Sequence, residues 1–124
     1  MHVLIVDDDL DIRSTLREAL EFEGHTVRAV ANGREALEDL RGQNAVCVIL
    51  LDLMMPVMNG WEFREEQLKD PKIAKVPVLV ISADGNAEVK AASLTANGYL
   101  KKPIRVKDLF DAVARYCPRI GPVN

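Results

Sequence analysis

The chain has 124 residues, a length that favours one domain with one hydrophobic core. Hydrophobic residues make up 48% and charged residues 28%, which is typical of a soluble globular protein and argues against disorder. The net charge of −3 argues against a nucleic-acid surface, and the longest apolar run, 45–51, is too short to span a bilayer.

The cysteines and the N-terminus indicate the compartment. The two cysteines, Cys47 and Cys117, lie far apart in the sequence. We interpret Cys47, inside an apolar run, as a small buried hydrophobe, and we expect neither a disulfide framework nor a zinc site. The N-terminus reaches acidic residues at Asp7 and does not have the pattern of a signal peptide. A reducing, cytoplasmic setting fits these features.

The first half of the chain alternates between predicted strands and helices. Residues 3–6 form a short apolar run that ends in three aspartates, and residues 10–23 carry apolar side chains at helical spacing. Residues 25–30 predict a weaker strand. Residues 32–42 predict a second helix, because an asparagine is followed three residues later by a glutamate, an N-terminal capping pattern.

The second half continues the alternation. Residues 46–52 form an apolar run that ends in an aspartate, and such a short run predicts a strand buried on both faces. The helix predicted at 86–96 has a thin apolar face, mostly Val89, Ala92 and Ala96, which indicates an element of low stability. The other predictions are a helix at 59–70, a strand at 76–81, a short strand at 99–101 and a last helix at 105–117.

Five βα units in succession predict an α/β fold with helices on both faces of a parallel sheet. Right-handed crossovers leave few topologies, and we expect the flavodoxin-like, doubly wound (βα)5 sheet with strand order 2-1-3-4-5. We predict a single domain over residues 1–118, followed by a flexible tail at 119–124.

In this fold the carboxyl ends of strands 1, 3, 4 and 5 are neighbours, and ligands bind at that edge. The residues at these strand ends are, in order, Asp7 and Asp8, Asp52, Ser82 and Lys102. Several carboxylates in one crevice repel one another unless a cation offsets their charge, and Mg²⁺ prefers such oxygen ligands. A lysine and a hydroxyl suit a phosphoryl group. The set predicts phosphoryl transfer, with the central Asp52 as the nucleophile.

The same stretches argue against two nucleotide-binding functions. The chain has no glycine-rich loop followed by a lysine, so we expect no P-loop for ATP. A flavin phosphate would meet Asp7 and Asp8 in the loop after strand 1, and they would repel it unless a metal ion intervened.

The chain resembles the receiver domains of response regulators in two-component signalling. The match covers nearly the whole chain, in order and at sensible spacing. It rests on four motifs: Val6-Asp7-Asp8 after strand 1, the stretch from Asp52-Leu53-Met54-Met55-Pro56 to Asn59-Gly60 after strand 3, Ser82-Ala83 after strand 4, and Lys102-Pro103 after strand 5.

The resemblance implies a phospho-accepting switch rather than an enzyme acting on a separate substrate. Asp52 would take a phosphoryl group from the phosphohistidine of a histidine kinase or of a histidine phosphotransfer protein. Mg²⁺, or Mn²⁺ in its place, would be held by Asp8, Asp52 and the backbone carbonyl of Met54, with Asp7 helping through water. Lys102 would pair with the phosphoryl oxygens.

The resemblance also implies how phosphorylation would change the surface of the domain. Ser82 would move to hydrogen-bond the phosphoryl group, and Tyr99 would turn inward behind it, although Tyr99 is also consistent with a half-buried core residue. The Lys102–Pro103 peptide bond is expected to be cis. The surface of helix 4, strand 5 and helix 5 would then change and be read by a downstream effector, or by a second copy in a phosphorylation-dependent dimer. Met54 and Asp84 occupy the two positions that tune the phosphate lifetime in this family.

Two alternatives stay open. The chain could be an interaction module that no longer depends on phosphorylation, although the intact set of site residues argues against this. An aspartyl-nucleophile phosphatase of the haloacid-dehalogenase type needs a second aspartate two residues after the first, and Met54 stands there. We expect no contact of this chain with nucleic acid or membrane. We interpret His2 and His25 as structural or surface residues rather than phospho-donors, and Trp61 as a helix-packing residue.

Overall fold

The computed structural model describes residues 1–42, 45–83 and 86–118. The tail predicted at 119–124 and the position of Asp84 lie outside the described residues. The described chain contains five strands and five helices in strict alternation. They are β1 (His2–Val6), α1 (Leu10–Phe22), β2 (Val27–Val30), α2 (Gly33–Arg41), β3 (Val46–Asp52), α3 (Gly60–Lys69), β4 (Val78–Ser82), α4 (Ala87–Ser93), β5 (Gly98–Lys101) and α5 (Val106–Ala114).

The strands form one parallel sheet in the order β2-β1-β3-β4-β5, so the predicted flavodoxin-like topology is confirmed. The apolar runs form its centre: β1 and β4 are buried along their whole length, and β3 from Cys47 onward. Such strands need cover on both faces, which the helices supply.

The two faces of the sheet have separate cores. Helices α2, α3 and α4 cover one face, where Leu37, Phe63 and Leu94 pack against alternate residues of the strands. Helices α1 and α5 cover the other, where Leu20 and Leu109 pack against the intervening residues. Because side chains alternate along a strand, each central strand contributes to both cores.

Helix α3 begins directly beside the end of β3. Asn59 and Glu62 form a reciprocal capping box, with hydrogen bonds of 2.9 and 3.0 Å. Gly60, the residue after Asn59, lies so close to β3 that an added Cβ would come within 2.8 Å of the Asp52 carbonyl oxygen. The Asn-Gly pair thus starts the helix and lets it pack against the strand that carries Asp52.

Helix α4 differs from its prediction in length and in its buried face. It ends at Ser93, and its buried residues are Ala87 and Ala91, with Leu94 buried just beyond. Val89, predicted to face the core, is 67% exposed, and Ala92 is exposed as well. The prediction of its face was therefore wrong for Val89 and Ala92, because small alanines offer little contrast by which to choose a face, whereas Ala96 packs against the core as predicted.

A disulfide joins Cys47 in β3 to Cys117 beyond the end of α5. The two Cα atoms are 5.4 Å apart although 70 residues separate them in sequence. Cys47 is buried, as predicted, but the expectation that these cysteines form no disulfide was wrong. Their sequence spacing could not show it, because the packing of α5 over the sheet brings them together.

Among residues 1–42, 45–83 and 86–118, no helix combines the length and apolar character needed to cross a membrane.

Candidate functional site

The sheet register gathers the predicted site residues at one edge. Within the described residues, each of these residues lies within two positions of a strand's carboxyl end, so parallel pairing places them side by side. Asp7 follows Val6, Lys102 follows Lys101, and the bond from the Lys102 amide to the Ser82 carbonyl is 2.8 Å long. The register pairs are Val6 with Leu51, Asp52 with Ile81, and Ser82 with Lys101.

Three carboxylates form an acidic cluster at this edge. One oxygen from each of Asp7, Asp8 and Asp52 lies within 4.8 Å of the others. Asp7 is fully buried, Asp52 is 9% exposed, and Asp8 is open to solvent. This all-oxygen donor set, partly buried and open on one side, fits a hard divalent cation such as Mg²⁺ that keeps several waters.

Lys102 neutralises part of the negative charge. Its Nζ lies 3.0 Å from Asp7 Oδ2 and 3.9 Å from Asp52 Oδ1. Its side chain is 18% exposed, so the ion pair with Asp7 is largely shielded from solvent. The lysine follows β5 directly, and the Lys102–Pro103 peptide bond is cis, the isomer expected from the sequence.

The environment of Asp52 favours its neutral form. The pKa of its carboxyl is raised from 3.8 to about 6, chiefly by burial and further by the neighbouring charges of Asp7 and Asp8. Lys102 and the backbone N–H of Leu53, which donates to Oδ1 at 2.9 Å, act in the opposite direction. The effects that raise the pKa outweigh those that lower it. A further positive charge at this site would lower the pKa of Asp52 and so favour its carboxylate form.

Asp7 is held from several sides. The backbone N–H of Asp9 donates to its Oδ1 at 2.9 Å, and Asp9 also caps α1 through bonds to the amides of Asp11 and Ile12. From α1, the Arg13 guanidinium donates to the Asp7 carbonyl at 2.8 Å. The sequence analysis did not identify Arg13 as a site residue. The only sequence signal for Arg13 is its position one turn into the helix that follows the acidic loop.

The remaining predicted residues lie near the cluster. Ser82 ends β4 and is 6% exposed, and Tyr99 in β5 pairs with Val80 and is 39% exposed. Met54 lies two residues beyond Asp52 with a side chain that is 70% exposed. The other predicted lifetime-tuning residue, Asp84, is outside the described residues.

An apolar depression opens beside the acidic cluster. Helix α1 lines one side of it with Ile12, Thr15 and Leu16, and the loop after β5 lines the other with Pro103 and Ile104. Lys102 belongs to the same lining. A group bound in the depression would therefore lie next to the carboxylates.

A central carboxylate, two flanking aspartates and a lysine, at the carboxyl edge of a five-stranded flavodoxin-like sheet, define the chain as a receiver-type domain. Comparison with known proteins agrees: the family model for the response regulator receiver domain matches residues 3–114. The chain belongs to the response regulator receiver domain family.

Individual relatives show how far the likeness extends. An uncharacterized 14.6 kDa protein of Leptolyngbya boryana is 35% identical, over 98% of this chain and 94% of its own length. Response regulator MprA of Mycolicibacterium vanbaalenii is 34% identical over 98% of this chain, which spans only 52% of that protein. The solved structure of chemotaxis response regulator CheY4 of Vibrio cholerae has a TM-score of 0.83 and 31% identity, covering 94% of this chain and 98% of its own.

Proposed function

We propose that this chain is a phospho-accepting signalling switch in which Asp52 takes a phosphoryl group from a phosphohistidine. The donor would be a histidine kinase or a histidine phosphotransfer protein. The observation that carries the proposal is the cluster of Asp7, Asp8 and Asp52 within 4.8 Å, with the Lys102 ammonium 3.9 Å from Asp52. We further propose that the switch works in the cytoplasm, where kinases of this kind present their phosphohistidines.

In the reaction we propose, a carboxylate oxygen of Asp52 attacks the phosphorus atom of the donor. The bond from oxygen to phosphorus forms as the bond from phosphorus to the donor imidazole nitrogen breaks, so the imidazole is the leaving group. The nucleophile must be ionised, and burial works against this by raising the pKa of Asp52 to about 6. Lys102 favours the ionised form and pairs with the phosphoryl oxygens once they arrive.

The residues that would hold Mg²⁺, or Mn²⁺, are Asp8, Asp52 and the Met54 backbone carbonyl, with Asp7 acting through water. A bound cation at this position neutralises carboxylate and phosphoryl charge. Asp7 is suited to an indirect role because Lys102, Asp9 and Arg13 already occupy its side chain and its carbonyl.

The apolar depression beside the cluster is a suitable docking place for the phosphodonor. Ile12, Leu16 and Ile104 line it, and a partner that covers them would exclude water from the attacking oxygen of Asp52. Domains that carry a reactive histidine on a helix could lay that helix along α1.

We propose that the phosphorylated state differs at α4, β5 and α5. Ser82 would hydrogen-bond a phosphoryl oxygen, and Tyr99, which is 39% exposed here, would move inward. The short α4, with Ala87 and Ala91 as its buried residues, has little apolar surface to resist displacement. A downstream effector, or a second copy of the chain, would read the changed surface.

The test is intact-mass spectrometry of the chain after incubation with acetyl phosphate and Mg²⁺, on wild type and on Asp52→Asn. The proposal expects one added phosphoryl group on wild type, dependent on Mg²⁺ and absent from the variant. Asp111→Asn, which removes an exposed carboxylate from α5, is the matched control and should be phosphorylated like wild type.

Other outcomes count against the proposal. An adduct that persists in Asp52→Asn would place the acceptor elsewhere. Absence of any adduct, together with absence of Mg²⁺ binding as followed by Trp61 fluorescence, would favour an interaction module independent of phosphorylation.

A further inference from the structure

The Cys47–Cys117 disulfide lies apart from the proposed phosphorylation chemistry. It joins β3 to the segment after α5 in the core on the α1 and α5 side of the sheet. Cys47 is 6% exposed and Cys117 is 3% exposed. Within the described residues, no free cysteine remains beside this pair.

The same packing also accommodates the reduced form. The Sγ atom of Cys47 lies 3.3 Å from the carbonyl oxygen of His2, a distance at which a thiol can donate a weak hydrogen bond. Both sulfurs lie among apolar side chains, where a free cysteine packs as a small hydrophobe.

The bond connects β3 to the segment just beyond the C-terminal end of α5. Beyond Ala114, the segment that reaches Cys117 is held by hydrogen bonds from the Tyr116 and Cys117 amides to the Val113 carbonyl, at 3.0 and 2.9 Å. These bonds span a single turn, so local opening exposes Cys117 without unfolding the sheet. At its other end, α5 begins just after the loop that carries Lys102.

We propose that Cys47 and Cys117 are a reversible redox pair, so that the chain senses thiol oxidants and its redox state sets the mobility of α5. In a reducing compartment, protein disulfides are usually transient and redox-sensing. The consequence for signalling rests on the proposed function, in which α5 belongs to the surface that a partner reads. The disulfide and its formation do not depend on that function.

The chemistry requires an oxidant, for which a peroxide suffices. The Cys117 thiolate attacks one oxygen of hydrogen peroxide, giving a sulfenic acid and, after protonation, one water. The Cys47 thiol then attacks that sulfur, forming the disulfide and releasing the second water. Two thiols are oxidised and one peroxide is reduced to two waters. A dithiol reverses the step through a mixed disulfide and is itself oxidised to a cyclic disulfide.

The experiment compares the whole folded chain after hydrogen peroxide and after a dithiol reductant. Alkylation of free thiols followed by intact-mass spectrometry counts the thiols, and hydrogen–deuterium exchange reports on peptides from 106–118. We expect two thiols after reduction and none after oxidation, with full reversal under native conditions. Exchange of α5 amides should be about tenfold slower in the oxidised chain.

Matched variants separate this inference from the proposed function. Cys47→Ala and Cys117→Ala should lose the redox dependence of α5 exchange, while reduced wild type controls for any packing defect caused by these substitutions. Asp52→Asn should keep the full redox response, because its substitution leaves both cysteines in place. Failure of phosphorylation and failure of the redox pair are thus distinguishable.

Three results would overturn the inference. Two alkylatable thiols that remain after peroxide treatment would show that the pair does not oxidise. A disulfide that a dithiol reduces only in denaturant would show a permanent structural bond. Equal α5 exchange in the oxidised and reduced chains would show that the bond does not control the helix.

Discussion

Lys102 makes its shorter ion pair with Asp7 and not with the central Asp52: the distances from Nζ are 3.0 and 3.9 Å. Asp7 is fully buried, so this contact supplies the positive charge that a buried carboxylate needs. The ammonium therefore has a partner before any phosphoryl group arrives. Phosphorylation of Asp52 would place new anionic oxygens within reach and would compete with Asp7 for the lysine.

The Lys102→Met variant tests this double role. Removing the ammonium takes away the cation that pairs directly with the Asp7 carboxylate, so Mg²⁺ should bind about tenfold more tightly. Phosphorylation of Asp52 by acetyl phosphate should nevertheless become at least about tenfold slower, because the phosphoryl oxygens lose their cationic partner. Trp61 fluorescence measures the first effect and intact mass the second. Lys101→Met, an exposed neighbour, should change neither, and weaker Mg²⁺ binding in Lys102→Met would contradict the role as a counter-charge.

The raised pKa of Asp52 predicts a pH-dependent stability difference. The carboxyl titrates at about 6 in the metal-free fold instead of 3.8, so the folded chain binds its proton more tightly than the unfolded chain. The ionised Asp52 carboxylate therefore lowers the free energy of unfolding by its full amount above about pH 6. This penalty is lost as the pH falls toward 4. Asp52→Asn should gain stability relative to wild type at about pH 7.5, and this gain should be smaller by about 2 kcal/mol at about pH 4.5.

Urea unfolding without metal, at both pH values, measures this difference. Asp111→Asn serves as the control for loss of one exposed carboxylate. Added Mg²⁺ should stabilise wild type and reduce the advantage of the variant, because bound cation favours the ionised carboxyl. A difference between variant and wild type that stays constant with pH would show that the buried charge is not the cause.

The meeting of these residues at one edge of the sheet could be predicted from the sequence because local signals and topology agree there. Short apolar runs that stop at Asp7, Asp52 and Ser82 indicate where parallel strands end, and the βα alternation places those ends side by side. The start of α3 was also visible, since Asn59 and Gly60 have a local reason to begin a helix.

Features that depend on contacts between distant segments could not be predicted. The Cys47–Cys117 pair forms only because α5 packs over the sheet, and two of the acceptors of Arg64 are backbone carbonyls just beyond the end of α4. Neither contact has a signature in the spacing of residues. The buried face of α4 was mispredicted for a different reason: its apolar residues are mostly small alanines, which give little contrast between faces, and Val89 lies on the exposed one.

Arg64 is a buried cation whose acceptors, among residues 1–42, 45–83 and 86–118, are uncharged groups. Its guanidinium donates to the carbonyls of Leu94 at 3.1 Å and Thr95 at 2.8 Å and to the Gln67 side chain at 2.7 Å. Burial lowers its pKa, but these carbonyls beyond α4 hold the charge in place. Arg64→Met would remove the donor to the Thr95 carbonyl and to the Gln67 side chain, whereas the Leu94 carbonyl would keep the Thr95 hydroxyl as a donor. The substitution should destabilise the fold by about 3 kcal/mol in urea unfolding.

The control for Arg64 lies on the same helix. Lys69 pairs with Glu65 across exposed surface, and Lys69→Met should cost about 0.5 kcal/mol or less. Hydrogen exchange should also speed up at α4 in the Arg64 variant, since its C-terminal end loses its anchor. Equal costs for the two substitutions would mean that the buried contacts contribute no more than a surface pair.

Val57 lies in a strained turn between Asp52 and α3. Its φ angle is 68°, and the Met58 amide bonds to the Pro56 carbonyl at 2.7 Å, the pattern of a tight γ-turn. A β-branched residue is rare at positive φ, and this side chain is 73% exposed, so it gains little from burial. Val57→Gly should therefore raise the free energy of unfolding in urea by about 1 kcal/mol, a net value from which the entropy cost of glycine has been subtracted.

Val57→Ala distinguishes backbone strain from the loss of a side chain. Alanine keeps the Cβ atom that disfavours positive φ, so its gain should be clearly smaller than that of glycine. A destabilised glycine variant would show that the turn does not store strain.

The disulfide predicts a stability difference between the oxidised and the reduced wild-type chain. It closes a loop of 70 residues, which restricts the unfolded chain, and loop-closure entropy for this length corresponds to about 4 kcal/mol. The oxidised chain should therefore resist urea more than the reduced chain by about that amount, with a smaller denaturant slope because its unfolded state is more compact. Cys117→Ala should unfold identically with and without a dithiol. Equal stability of oxidised and reduced wild type would mean that strain in the native state cancels the entropic gain.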